Sequence, residues 1–304
     1  MVSYSSFFGG ALMGPFFEFA DYRRFIEEKG EYKNAPSPIL ASLYYLALGI
    51  FCLALFMVGS QYYWIEFCWD AKFAELSLLQ RFVWYFVAMS LKRLFYYNPF
   101  AMTTGIVVAS GLGYNGRGVG PDGKLGSGKH TWNKIISLYV WDLETSSSPV
   151  EMIRLWNHQV HLWLKFYVLE RITPRGKRPG AKESIAVFLV SAFWHGFYPF
   201  YYVMFFFAAL TVEAAKDVFK ARILFKQVIP SFLVSPLGWL ASMTCLNYCG
   251  ILQNALTFEN GFAFMKNTYY FLPLGLILFV FFSRTMGLVG MAKRMEKKVE
   301  QKQK

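Results

Sequence analysis

Long apolar stretches alternate with short charged connections along this chain. Ile39 to Ile65 runs twenty-seven residues without a charge behind Pro36 and Pro38, more than the ~20 residues a helix needs to cross a bilayer, and is predicted to span. The first twenty residues, apolar but punctuated by Gly9-Gly10 and Gly14-Pro15, read as a short or broken helix, and Asp21 to Lys33 as one charged helix of mixed sign. Phe82 to Asn115 is interrupted at Lys92-Arg93 and Asn98-Pro99, which predicts two helices meeting at the proline rather than one helix with snorkelling bases. The glycine-rich Ser110 to His130 lacks a P-loop ending and is predicted to be a mobile solvent loop.

Further on, Lys134 to Glu144 is a short aromatic segment suited to a membrane interface, and Ser146 to Pro149 can cap a helix over Val150 to Arg171. From Ser184 to Val212 there are twenty-nine residues with no Asp, Glu, Lys or Arg, and Pro199 should break or kink that run. Gln227 to Thr257, holding Pro230 and Pro236, and Asn267 to Ser283 complete the apolar stretches; KRMEKKVEQKQK closes the chain as a basic tail. By span length this gives six to eight membrane helices, some broken or re-entrant. Basic loops flank Ser184 to Val212 on both sides, so either the chain re-enters at Pro199 or one loop breaks the positive-inside tendency.

Composition supports a membrane chain. Of the 304 residues 55% are hydrophobic, 20% aromatic and only 16% charged, a profile that fits a polytopic membrane protein better than a soluble domain. The net charge of +12 lies between apolar runs, as cytoplasmic loops require, which argues against nucleic acid as a partner. Cys52, Cys68, Cys245 and Cys249 form neither a disulfide framework nor a zinc spacing.

Candidate chemistry centres on SAFWHGFYPFYY, Ser191 to Tyr202. His195 is the one ionisable group of intermediate pKa in the uncharged run, and an ionisable side chain at membrane depth is a functional candidate by default. On the preceding polar helix, Asn157 and His161 are four apart and share a face. His158 and His161 are three apart, but no third ligand stands nearby, so no metal is assigned and both read as hydrogen-bonded interior groups. Arg171 to Lys182, RITPRGKRPGAK, is a compact basic turn that can fix topology, attract anionic headgroups, or do both.

WNHQVHLWLKFYVLERI followed by GKRPG and SAFWHGFYPFYY resembles the membrane-bound O-acyltransferase family, most closely its lysophospholipid acyltransferase branch. FFGGALMGPFFEFADYRRF, SGLGYNG and WDLET extend the resemblance over nearly the whole chain. It implies an all-α, polytopic transmembrane bundle of broken and re-entrant helices around a central chamber. Residues 1–304 would form one such domain, starting where family members already carry several transmembrane helices.

The resemblance implies acyl transfer from a fatty acyl-CoA, a co-substrate and not a resident cofactor, to the free hydroxyl of a lysophospholipid in a multi-pass protein of the endoplasmic reticulum membrane. His195 would be the general base. Asn157 would donate to the oxyanion, or orient the substrate or the imidazole; the sequence leaves these open. Without a serine elbow or a motif cysteine, direct transfer is expected over an acyl-enzyme.

Trp156, Trp163 and Trp194 are candidates to line the acyl and lipid tunnels, and Arg171, Arg175, Lys177 and Arg178 to hold CoA phosphates. Phe200 stands where the branch usually has glycine and is expected to narrow the space beside His195. Homo-oligomerisation stays open, as do three rivals: another acceptor (sterol, diacylglycerol or peptide), a transporter, whose spans should carry paired charges, and a shortened, inactive regulator.

Overall fold

The structure, a computed structural model, describes residues 2–11, 16–119, 125–292 and 294–295. Gly14-Pro15, the middle of the glycine-rich stretch and most of the basic tail lie outside them. The chain folds into two compact units, one of residues 1–62, 91–143 and 154–165, the other of residues 63–90, 144–153 and 166–304.

In the first unit the start of the chain is broken as expected, into Val2–Ser5 and Phe8–Ala11. The charged segment is two pieces and not one helix: α1 (Phe19–Ile26) and a 3-10 turn over Gly30–Asn34. The reversal is taken by Glu28 (φ 48°) and Gly30 (φ 63°), the second a conformation glycine adopts without strain. Lys134 is the hub of this region, bonded to Glu31 and 3.4 Å from Asp21. The Tyr32 hydroxyl donates to Leu112 O at 3.1 Å, and Phe17, Tyr22, Tyr32, Val107, Leu112, Tyr114 and Ile135 form the local core.

α2 (Ile39–Gly59) is the apolar span, twenty-one residues long. Among the described residues it is the one single helix whose length and composition suffice to cross a membrane. α3 (Leu78–Ser110) differs from the expected pair: it is one continuous helix of thirty-three residues with Pro99 inside it. Pro99 lacks an N–H and so removes one helical bond, yet the neighbourhood is held from outside, with Asn98 Nδ2 donating to Gly49 O at 2.9 Å and Ser42 Oγ to Gly105 O at 2.9 Å. A Cβ at Gly49 or Gly105 would meet Met102 or Leu46 at about 3.0 Å; these glycines let α2 and α3 approach closely. Lys92 lies 4.6 Å from the ring centroid of Phe95, and Arg93 donates to Tyr97 Oη at 3.1 Å.

The glycine-rich stretch is not simply a loop. Arg117–Val119 (β1) and Leu125–His130 (β2) pair antiparallel, with Arg117 opposite His130. Tyr114 Oη and His130 Nδ1 are 2.6 Å apart, and the Tyr114 ring packs 5.0 Å from Trp132.

In the second unit, α4 (Pro149–Leu155) starts where Ser146 to Pro149 predicted, Ser148 Oγ accepting from Glu151 N–H at 3.4 Å. The expected helix over Val150 to Arg171 is instead four pieces, described with the site below. α6 (Ala181–His195) and α7 (Pro199–Lys220) pack against each other, so the chain turns back at Pro199. α6 has only fifteen residues, fewer than a crossing needs.

α7 also packs on α8 (Ser231–Ala255) and α10 (Phe271–Thr285). Buried Asp217 accepts from Ser283 Oγ at 2.8 Å and from Arg284 Nε at 3.3 Å, and Glu213 from Arg284 Nη2 at 2.7 Å. α9 (Phe258–Asn267) and α10 meet at a 78° bend through Tyr269 and Tyr270, both at positive φ, and can count as one broken span.

By length and composition the described residues therefore hold one spanning helix, or two with the bent pair, against the six to eight expected. The difference has a physical origin. α3, α7 and α8 are long enough, but Lys92 and Arg93 in α3, the Glu213-to-Lys220 charges in α7, and Pro236, Asn247, Gln253 and Asn254 with several serines and glycines in α8 dilute their apolar character.

Candidate active site

Arg154 to Ile172 carries the first group of candidate residues. α4 ends at Leu155, and α5 (His158–Trp163) starts from Asn157, whose backbone is left-handed at φ 43°, ψ 55°. Asparagine tolerates that region better than most residues. His161 N–H still reaches Asn157 O at 3.0 Å, while His158 N–H is diverted to Ser137 O at 2.7 Å. The Asn157 side chain is half-buried, caps nothing and makes no hydrogen bond among the described residues. Helical spacing had placed Asn157 on a continuous face with His161. The structure places it at a break, its carboxamide free.

Beyond α5, Leu164–Leu169 is wound as a π-helix and Glu170–Ile172 as a last short turn. π-Turns are rare and gather at functional sites. Trp163 is the residue just before it. Trp156 sits with its ring 6.0 Å from Tyr96, 6.0 Å from Tyr97 and 6.1 Å from Phe100, which is aromatic packing onto α3. His158 Nδ1 is 2.9 Å from Arg154 O and its ring is edge-on to Tyr139 at 5.3 Å; it is hydrogen-bonded as the sequence suggested, but half-buried rather than interior.

A second group lies in the second unit, at the end of α6. His195 is its last residue; Gly196 follows at φ 128°, open to glycine and strained for any other residue. Pro199 then opens α7 at the one helical position where its missing N–H costs nothing. The imidazole lies among rings: Trp194 edge-on at 5.2 Å, Tyr201 at 5.7 Å and Phe205 at 5.2 Å. It makes no hydrogen bond among the described residues and is exposed at the surface of the chain, as is Trp194. The sequence reading passed over Phe205. Its signal was the four-residue spacing from Tyr201, which puts both rings on one face of α7.

Phe200 departs from expectation. It is fully buried, packed on Gly261 with Phe258 and Phe262 edge-on at 6.0 and 5.4 Å, and its N–H donates to Leu256 O at 3.1 Å. A methyl group at Gly261 would overlap its ring. The bulk is absorbed by α9, and none of the rings around the imidazole is Phe200.

Thr173 to Gly180 forms the expected tight basic turn, with Lys177 N–H on Pro174 O at 3.1 Å and Gly176 at φ 77°. Arg171, Arg175, Lys177 and Arg178 are all exposed, and none has a carboxylate partner among the described residues. Arg171 lies 5.8 Å from the centroid of the Tyr167 ring. Glu183 closes the turn by accepting Gly180 N–H at 2.7 Å.

Among the described residues, the second unit thus holds an unbonded imidazole at the end of a helix that carries no charge past Glu183 and starts from a cationic turn, and the first an unbonded carboxamide at a helix break. Residues 1–253 match the membrane-bound O-acyltransferase family, and the chain belongs to that family. It is 31% identical to the lysophospholipid acyltransferase of Schizosaccharomyces pombe, over 71% of this chain and 42% of that one. It is 28% identical to lysophospholipid acyltransferase 2 of Arabidopsis thaliana, over 89% of this chain and 59% of that one. Membrane-bound glycerophospholipid O-acyltransferase 1 of Mus musculus is 25% identical over 92% of this chain and 58% of its own length. The chain spans about half the length of the curated relatives it matches.

Proposed function

We propose that this chain transfers a fatty acyl group from acyl-CoA to the free hydroxyl of a lysophospholipid, as a multi-pass protein of the endoplasmic reticulum membrane. The observation that carries the reading is the free imidazole of His195 at the end of α6, some thirteen residues past the last cation of the basic turn. At 1.5 Å per residue that is about 20 Å along the helix. In this reading the phosphates are held by Arg171, Arg175, Lys177 and Arg178 before the start of α6, and the phosphopantetheine arm runs along that helix toward the imidazole.

A glycerol hydroxyl is a poor nucleophile at neutral pH. His195 takes its proton as the oxygen attacks the thioester carbon, a contribution of about 10²–10⁴ in rate. The negative charge gathering on the carbonyl oxygen needs a neutral, preorganised donor, worth roughly 3–4 kcal/mol in a water-poor site, and the Asn157 carboxamide is the donor assigned here. Collapse breaks the C–S bond, and the imidazolium returns its proton to the departing CoA thiolate. Trp194 and Trp163 are assigned to the walls along which the acyl chains lie. The names of the relatives support the lysophospholipid acceptor over sterol or peptide.

The test is expression in membranes lacking endogenous activity, supplied with labelled oleoyl-CoA and a panel of lysophospholipids. Product should form, fall at least a hundredfold in His195→Ala and persist in His158→Ala. Equal product in His195→Ala rejects the assignment.

A further inference from the structure

Arg81, near the start of α3, is buried and has no acidic partner among the described residues. Its Nε donates to Leu76 O at 2.8 Å, its Nη1 to Asn267 O at 2.6 Å and its Nη2 to Ala74 O. A guanidinium has five N–H donors, so two remain, and three carbonyl dipoles do not neutralise a full charge. A buried cation without an anion is costly. Its guanidinium carbon lies 5.4 Å from the centroid of the Tyr269 ring.

The same side chain lines a cavity of about 450 Å³ whose other walls are Leu78, Leu79, Phe82, Tyr85, Thr268, Tyr269 and Phe271, within the ~300–1,000 Å³ range of ligand pockets. The walls are apolar with two exceptions that face no partner of their own: the spare donors of Arg81 and the hydroxyl of Tyr85. That hydroxyl is buried and has no hydrogen-bond partner among the described residues. Leu78, Leu79 and Tyr269 are well exposed at the rim.

We propose that this cavity binds an anionic phospholipid. Its phosphate oxygens pair with Arg81, Tyr85 donates to an ester or phosphate oxygen, and one acyl chain lies along Leu78, Leu79, Phe82 and Phe271. None of these residues belongs to the acyl-transfer machinery assigned above, and the inference does not depend on that assignment. A phosphate on an apolar stem fits both the charge and the walls. Free phosphate satisfies only the first, and a zwitterionic lipid brings its own cation to Arg81.

The experiment is photolabelling of the full chain in phosphatidylcholine nanodiscs with phosphatidic acid carrying a diazirine on its acyl chain, followed by peptide mapping. Label is expected on the peptides holding Leu78–Tyr85 and Thr268–Phe271, and unlabelled phosphatidic acid should compete for it. Leu79→Trp fills the cavity while leaving Arg81 and its carbonyls in place, and should cut that label at least fivefold; Arg81→Gln should do the same if it folds. His195→Ala should label like the parent whatever its activity. Undiminished label in Leu79→Trp overturns the site. Equal competition by added phosphatidylethanolamine, a zwitterionic lipid, overturns the anionic preference, competition by inorganic phosphate overturns the lipid, and loss of label in His195→Ala overturns its separateness.

Discussion

Asn157 combines a left-handed backbone with an unbonded carboxamide, and the two properties are separable by substitution. Asn157→Gly keeps the backbone easy and removes the amide; Asn157→Ala removes the amide and adds about 1 kcal/mol or more of backbone strain. Both should lower turnover by about 10²–10³, the usual cost of an oxyanion donor, with Asn157→Gly remaining at parental levels in the membrane. Lost expression in both would make the residue structural instead. Away from the site, the Glu31 carboxyl sits below its ordinary range: burial pushes it up, but the bond from Lys134 and its own backbone N–H outweigh that. A depressed carboxylate stabilises above its unfolded pKa of about 4.3 and loses that contribution as pH falls through its folded value. The melting temperature of Glu31→Gln should therefore lie below the parent near neutrality, by an amount equivalent to about 1 kcal/mol, and converge with it under acid.

Among the elements, Phe200 and Gly261 make α7 and α9 a matched pair, a large ring seated where no Cβ exists. Gly261→Ala should cost about 1–3 kcal/mol by overpacking, and Phe200→Leu in the same chain should recover part of it. A double-mutant cycle on thermal stability reads the coupling. Phe200→Leu alone should lower stability and leave the acyl-chain profile unchanged, because the ring points away from the imidazole's neighbours. Sequence alone showed the position of Phe200 in the motif but not which helix would receive its ring, since that requires the fold. The same limit explains α3. Asn98-Pro99 is a sound local signal for a break, overridden here by a bond to Gly49 O in a helix forty-nine residues earlier. At Pro199 the local signal prevailed, because Gly196 had already released the chain.

Over the whole molecule, the alternation of apolar stretch and basic connection made the membrane class legible, and SAFWHG with WNHQV pointed to the family that residues 1–253 match. The winding of Val150 to Arg171 was not legible, because a left-handed residue and a π-turn leave no mark in hydrophobic periodicity. The cationic turn, by contrast, was plain as a run of bases, though its role was not. If it holds CoA phosphates, Arg175→Ala with Arg178→Ala should raise KM for acyl-CoA about tenfold and leave kcat nearly unchanged. Steady-state kinetics at two salt concentrations should show the parent losing affinity with salt more steeply than the variant.

The π-turn at Leu164–Leu169 also bears on how this lineage can change length. A π-turn is the form one surplus residue takes inside a helix, so a single deletion there returns the chain to α-winding. The same deletion between Lys182 and Trp194 has no such slack. It would swing His195 by about 100° relative to the start of its helix, out of the ring pocket made by Tyr201 and Phe205. A single deletion is thus absorbed on one side of the basic turn and displaces His195 on the other.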